Sequence, residues 1–192
     1  MLIIISSPSG AGKTTICKEL LNKDKNIKIS ISDTTRVPRD DEINGKDYNF
    51  VSELEFKSKI KRNEYVEHAK VFGNFYGSLH SNVIELSKKN YDIIFDIDWQ
   101  GAQQLKTSGY KNIISFFIIP PSRNVIYERL LARAVISGDD KDAINRRMSF
   151  YDTEVSHQNE YSHIIVNDNL DQCVKEIHEL ILIKRSNLGS VG

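Results

Sequence analysis

Short apolar runs alternate with longer amphipathic stretches along this chain, the pattern of strands laid parallel with helices crossing between them. Leu2–Ser6 is an apolar run closed by a serine and predicts a strand. Lys13–Asn22 predicts a helix and Ile27–Ser32 a second strand. Tyr91–Asp98 stays apolar until its end, and Ile113–Ile119 is the most hydrophobic segment, which marks a central strand. Pro120-Pro121 stops that strand, because proline cannot continue a ladder. Ser162–Val166 predicts a last short strand. Apolar positions three and four apart predict helices over Ser122–Ala134, Asp142–Asn159 and Leu170–Arg185.

Between about Asp33 and Lys89 the rhythm breaks. Ser52-Glu53-Leu54-Glu55 reads as a capping box opening a helix that runs to about Arg62. Tyr65–Val71 predicts a strand, and Phe72–Ser78 an aromatic, glycine-containing turn. This stretch is a small α+β insertion into the parallel sheet. A second irregular piece, Val135–Lys141, is a loop between two arginine-bearing helices, and Ser186–Gly192 reads as a frayed tail.

The composition narrows the function classes. Lys+Arg and Asp+Glu are 26 each in 192 residues, so no global field holds a nucleic acid or an anionic membrane. With 40% hydrophobic and 27% charged residues the chain has the make-up of one globular domain. Cys17 and Cys173 form no paired spacing, which excludes a disulfide scaffold. No basic leader precedes the first apolar run, so a cytoplasmic setting is expected. The five histidines show neither metal-ligand spacing nor a Ser-His-Asp order.

Ser7-Pro8-Ser9-Gly10-Ala11-Gly12-Lys13-Thr14 follows a strand and opens a helix, the context that a phosphate loop requires. The glycines let backbone N–H groups turn toward phosphate oxygens, and the helix adds its positive end. Lys13 can reach the β- and γ-phosphates, and the Thr14 hydroxyl can ligate Mg²⁺. Ser7 stands where such loops begin with glycine; if positive φ is needed there, serine costs roughly 1 kcal/mol.

Arg36 and Arg39 are two guanidinium forks in one proline-braced loop and suit bidentate capture of a second anion. Tyr48 and Tyr76 lie in the same insertion and can add hydroxyls. Taken singly, loop arginines are more often solvated and strand tyrosines more often core. Asp96 and Asp98 close the third strand, where parallel sheets bind ligands, and alternation puts both on one face if the strand stays extended. Capping of a helix from Trp99 to Lys106 is the other reading of Asp98.

Ser32–Arg39, Asn44–Val51 and Phe75–Ser78 closely resemble the acceptor-binding region of guanylate kinases. The resemblance continues through Phe95–Gly101 to Ile165–Asp168 and so covers nearly the whole chain in the family's order. It implies a three-layer α/β phosphate-loop (P-loop) kinase fold with a five-stranded parallel core, about 1–32, 90–121 and 149–185. The GMP-binding insertion would span about 33–89 and a helical lid about 122–148, in a single domain over 1–185. It implies transfer of the ATP γ-phosphoryl group to GMP, or dGMP, giving ADP and GDP with Mg²⁺, in purine nucleotide metabolism. The residues matching Arg36, Arg39, Tyr48 and Tyr76 would bind the GMP phosphate, while Ser32, Glu67 and Ser78 surround the guanine with Asp98 close by.

A carboxylate such as Glu67 can accept from guanine N1–H and N2 together, and adenine would oppose it with lone pairs. Without the resemblance, Glu67 reads as a solvent-facing strand residue. The resemblance also has Asp96 helping to hold Mg²⁺ through water, Asn167 near the adenine, and Arg129, Arg133 and Arg147 closing over the triphosphate as lid arginines. Many bacterial relatives carry Arg-Leu-Arg-Gly-Arg-Gly where this chain has Leu131 and Ala132, which implies a stiffer lid. A catalytically poor, phosphopeptide-binding guanylate-kinase-like module is one rival reading, against which stands the retained Gly12-Lys13-Thr14; a kinase of AMP, UMP or dGMP is the other, and Glu67 with Ser32 argues for a guanine base.

Overall fold

The computed structural model of the chain describes residues 1–137 and 140–189, without the side chains of residues 133 and 135–137. The core is a five-stranded sheet in which every pairing is parallel. Its strands are β1 (Leu2–Ser6), β2 (Ile27–Ile29), β7 (Asp92–Asp96), β8 (Ile113–Ile119) and β9 (His163–Val166), in the order β2-β7-β1-β8-β9. The centre belongs to β1, all five of whose residues are buried. Strand β8, expected to be a central strand, is one, lying between β1 and β9. Burial on both faces makes either strand uniformly apolar, so hydrophobicity alone does not rank them.

Alternation along the strands divides the interior into two layers. Ile3, Ile5, Ile94, Phe116 and Ile118 pack with Ile16 and Leu20 of α1 (Lys13–Lys23), with Ile126 and Leu130 of α5 (Arg123–Ser137), with Ile144 of α6 (Lys141–Ser156), and with Val174, Ile177 and Ile181 of α7 (Leu170–Gly189). Leu2, Ile4, Ile93, Phe95 and Phe117 face the other way, onto Val83 of α3 (His80–Lys88) and Ala102 and Leu105 of α4 (Trp99–Thr107). The result is the expected three-layer arrangement. The N-terminal amine lies 3.0 Å from Asp92, which also pairs with Arg185 at 2.7 Å, tying β1, β7 and α7 together.

The insertion forms a second, four-stranded sheet of β3 (Asp33–Thr34), β4 (Asn49–Phe50), β5 (Tyr65–Val71) and β6 (Asn74–Leu79), ordered β4-β3-β6-β5. Phe56 of α2 (Glu53–Lys61) stacks between Tyr65 at 4.5 Å and Phe75 at 5.4 Å. Asp33, fully buried, is satisfied from three sides by Asn49 Nδ2 at 2.9 Å, Lys59 Nζ at 2.8 Å and the Tyr65 hydroxyl at 2.8 Å. Gln104 of α4 exchanges two hydrogen bonds with the His68 backbone and so ties this sheet to the core.

Some boundaries differ from the sequence reading. The second strand stops at Ile29, because the chain leaves for the second sheet at Asp33. Phe72–Ser78 is not a turn throughout: from Asn74 onward it is β6. Helix α5 continues to Ser137 and α6 begins at Lys141, so most of the loop expected over Val135–Lys141 is helical, and residues 138 and 139 lie outside the described ones. Helix α6 ends at Ser156 and a single 3-10 turn, Gln158–Glu160, follows. Helix α7 runs past Arg185 to Gly189; residues 190–192 of the expected tail lie outside the described ones.

Candidate nucleotide and acceptor site

The loop from Ser7 to Gly12 joins β1 to α1 and is closed by Ala11 N–H donating to Pro8 O at 3.2 Å. Gly10 and Gly12 take φ of +90° and +96°. Ser7 is absent from the positive-φ residues, so serine there carries none of the strain expected of it, and its hydroxyl donates to Pro8 O at 2.9 Å. Lys13 Nζ lies 2.5 Å from Asp96 Oδ1 and donates to Ile97 O at 3.2 Å. Thr14 Oγ1 donates to the second Asp96 oxygen at 3.1 Å. Burial lowers the Lys13 pKa, but the Asp96 carboxylate outweighs it and holds the amine well above the usual lysine range.

The loop is held by contacts from α5, from α6 and from the end of β9. Asn167 Nδ2 donates to Ala11 O at 2.7 Å, and Arg129 reaches Ala11 O at 3.3 Å and Asn167 O at 3.1 Å. Arg147 of α6 donates to Ser9 Oγ at 3.1 Å. Two turns further along the same helix, Glu154 accepts from Ser9 N–H at 3.3 Å. Burial, with Asp98 adding to it, pushes the Glu154 carboxyl up to about 7 against the pull of Ser9 N–H, Lys13 and Arg147. The side chain of Arg133 is outside the description.

On the insertion side, Arg36 and Arg39 converge on one carboxylate, Glu42. Arg36 Nη2 meets its oxygens at 2.7 and 2.9 Å, Arg39 Nη1 at 3.3 Å, and Arg39 N–H donates to it at 2.8 Å. The Arg36 guanidinium lies 5.5 Å from the Tyr48 ring centroid, and Tyr48 and Tyr76 meet edge to face at 6.0 Å. Tyr48 is held well above the usual tyrosine range by burial and by Asp96, with Lys13 opposing. Tyr48 thus lies within reach of the charges of Lys13 and Asp96 as well as of Arg36. A cavity of about 840 Å³ opens between the insertion and α6, lined by Arg36, Arg39, Tyr76, Phe72, Arg146 and Arg147.

Ser32, Ser78 and Glu67 come together in the insertion, Glu67 and Ser78 paired across β5 and β6. The two hydroxyls are 3.3 Å apart. Glu67 is 3% exposed and its Oε1 has no hydrogen-bond partner among the described residues, so it is not the solvent-facing strand residue that its position alone allows. Burial, with Asp98 adding and Ser78 opposing, pushes its carboxyl up to about 7. A side chain on Gly101 would collide with Glu67 Oε2, so the glycine leaves room for this carboxylate. Asp98 does not continue the strand on the face of Asp96. The strand ends at Asp96, and Asp98 caps α4, accepting from Gly101 N–H at 3.0 Å and from Gln100 Nε2 at 2.8 Å.

The structure thus gathers Lys13, Thr14, Asp96, Asn167, Arg129 and Arg147 about the loop, and Arg36, Arg39, Tyr48 and Tyr76 beside it. Glu42 and Glu154 were not singled out from the sequence. Glu42 carried a faint signal, three residues after Arg39; Glu154 carried none, being one acidic residue on an amphipathic helix. Among the described residues no group of three or more His, Cys, Asp and Glu could cage a metal. The hydroxyl of Thr14 and the carboxylate of Asp96 are an oxygen-only pair, the donor chemistry of a Mg²⁺ that keeps most of its waters and phosphate ligands.

Comparison with known proteins bears on what this arrangement belongs to. The family model described as Guanylate kinase matches residues 1–184. The guanylate kinase of Rickettsia bellii is 44% identical over 185 residues, covering 96% of this chain and 95% of that one. That of Rickettsia prowazekii is 43% identical over 186 residues, covering 97% and 92%. The crystal structure of guanylate kinase from Anaplasma phagocytophilum superposes with a TM-score of 0.76 at 33% identity, covering 96% of this chain and 85% of that one. With a phosphate loop, a pair of arginines on one carboxylate and a buried glutamate, and with sequence matches over nearly the whole length, the chain belongs to the guanylate kinase family.

Proposed function

We propose that the protein transfers the γ-phosphoryl group of ATP to the phosphate of GMP, giving ADP and GDP, and that dGMP serves as a second acceptor. The observation carrying this reading is that Tyr48 connects two cationic groups, Lys13 with the loop and Arg36 with Arg39, in a chain that also buries a carboxylate, Glu67, with one oxygen unpartnered.

Each residue then has a task. The loop and Lys13 hold the triphosphate, and Arg147, reaching the loop through Ser9, is positioned to neutralise charge that develops on the transferred group. Arg129 and Asn167 keep the loop in shape from behind. Arg36, Arg39, Tyr48 and Tyr76 orient the acceptor phosphate so that one of its oxygens attacks in line. For the acceptor to bind, its phosphate shares or replaces Glu42 as the partner of Arg36. Glu67, ionised, accepts from guanine N1–H and N2, while Ser32 or Ser78 meets O6. Thr14 and Asp96 would hold Mg²⁺, whose charge offsets that of the phosphates when it is bound. No covalent protein intermediate is required.

Both substrates are soluble nucleotides, and no helix among the described residues is long and apolar enough to cross a membrane. The reading adds a place in purine nucleotide metabolism and a cytoplasmic site of action. The test is the fate of label from ATP marked at its γ-phosphorus, with GMP present. Label in GDP is expected, and label in inorganic phosphate alone would overturn the reading.

A further inference from the structure

The two-residue turn between β5 and β6 is Phe72–Gly73, with φ of +47° and +87°. A hairpin turn with positive φ at both central residues is filled without strain by Asn-Gly or Gly-Gly. Phenylalanine at the first position is a costly choice, and such strain persists where the surroundings compensate it. Phe72 is also 38% exposed, so its own sheet offers no core for the ring to fill.

The ring is engaged by a different part of the molecule. It meets Phe150 of α6 edge to face at 5.5 Å and 79°, and Phe150 is itself half exposed. The Arg147 guanidinium lies 5.2 Å from the Phe72 centroid, within the range of a cation–π contact. Arg147 donates to Ser9 Oγ at 3.1 Å. A continuous line of contact therefore runs from the tip of the acceptor insertion, across one face of α6, to the phosphate loop. Phe72, Arg147 and Phe150 all line the cavity between the insertion and α6.

We propose that Phe72 is a positioning residue for Arg147: only with the acceptor insertion against α6 does the ring support the guanidinium at the phosphate loop, so that closure on the acceptor side arms the donor side. This rests on the assignment of Arg147 made under the proposed function. The contact accounts for an exposed aromatic at a backbone position that disfavours it, and it links two substrates that no single side chain spans.

The test uses Phe72→Asn, which suits the turn but removes the ring, and Phe72→Tyr, which keeps it. Both are compared with Arg147→Ala and with the Phe72→Asn/Arg147→Ala double variant. The expected result for Phe72→Asn is a kcat about tenfold lower, an unfolding midpoint unchanged or raised, and GMP affinity without ATP within twofold of the parent. Phe72→Tyr should stay within twofold throughout, and the double variant should be no slower than Arg147→Ala. A Phe72→Asn protein with full kcat, while Arg147→Ala is impaired, overturns the proposal and leaves the phosphotransferase reading standing. Losses that multiply in the double variant also overturn it. An Arg147→Ala protein with full kcat overturns the arginine's assignment and the role of Phe72 together.

Discussion

Glu67→Gln separates what this carboxylate costs the fold from what it does for the acceptor. In the folded chain Glu67 is 3% exposed with one oxygen unpartnered, and burial pushes its carboxyl from 4.5 up to about 7. An acid whose pKa rises on folding binds its proton more tightly in the native state. Stability is therefore full below about pH 4.5, declines as pH rises toward 7, and is level above. At about 1.4 kcal/mol per unit the loss reaches roughly 3 kcal/mol. Glutamine has the shape of the neutral acid and does not ionise, so Glu67→Gln should exceed the parent in stability by roughly 1 kcal/mol at pH 5 and roughly 3 kcal/mol at pH 8. Urea unfolding of both proteins at the two pH values measures this difference. Glutamine also turns an N–H toward guanine N1–H, so kcat/KM for GMP should fall roughly 10³- to 10⁴-fold. A stability difference that does not change between pH 5 and pH 8 would refute the poised carboxylate. GMP turnover at the parental rate would refute its reading of the base.

Three further outcomes follow from the contacts around the two anion sites. Glu42→Ala removes the carboxylate that bridges Arg36 and Arg39 and braces Arg39 N–H, so KM for GMP should rise by about tenfold in steady-state assays, more than kcat falls. Glu154→Ala frees Ser9 N–H on the α6 side of the phosphate loop; KM for ATP should rise several-fold with KM for GMP unchanged, and Glu154→Gln, which keeps an acceptor oxygen, should lie closer to the parent. Gly12→Ala forces a side chain into φ +96° with its Cβ 2.6 Å from Asn167 Nδ2, displacing the bond from Asn167 to Ala11 O. It should cost roughly 2 kcal/mol in thermal unfolding and weaken ATP binding in calorimetry.

The parallel core was legible because its signal is local. Five buried residues of β1 and seven mostly buried ones of β8 leave an unbroken apolar trace, and Ser52 caps α2 through Glu55 N–H as its capping box predicts. Glu55 itself turns to Lys59 at 3.1 Å, so half of that motif serves an ion pair. The insertion was harder to read because its glycines have two meanings. Gly73 makes a turn, but Gly77 sits within β6, where a Cβ would press on Tyr65 and Phe56, so the residue marks close packing and not a bend. Helix α3, which buries only Val83, is left unassigned by the sequence reading.

In the site, Arg36 and Arg39 were visible as a pair, but their common partner Glu42 required the folded loop. The burial of Glu67 likewise depends on residues distant in sequence, Ser78 on the neighbouring strand and Gly101 on α4. Asp98 shows the opposite case: its local role as a helix cap, readable from the sequence, is what its side chain performs in the folded chain.

The central claim is phosphoryl transfer from ATP to a guanine nucleotide, and an acceptor panel tests it most directly. Purified protein with Mg²⁺ and ATP is offered GMP, dGMP, AMP, CMP and UMP in turn, with ADP release followed by a coupled assay and Lys13→Ala run alongside. The account predicts ADP formation with GMP and dGMP alone, abolished by Lys13→Ala. Equal turnover with AMP, or no turnover of GMP by a protein that still binds it, would contradict the account.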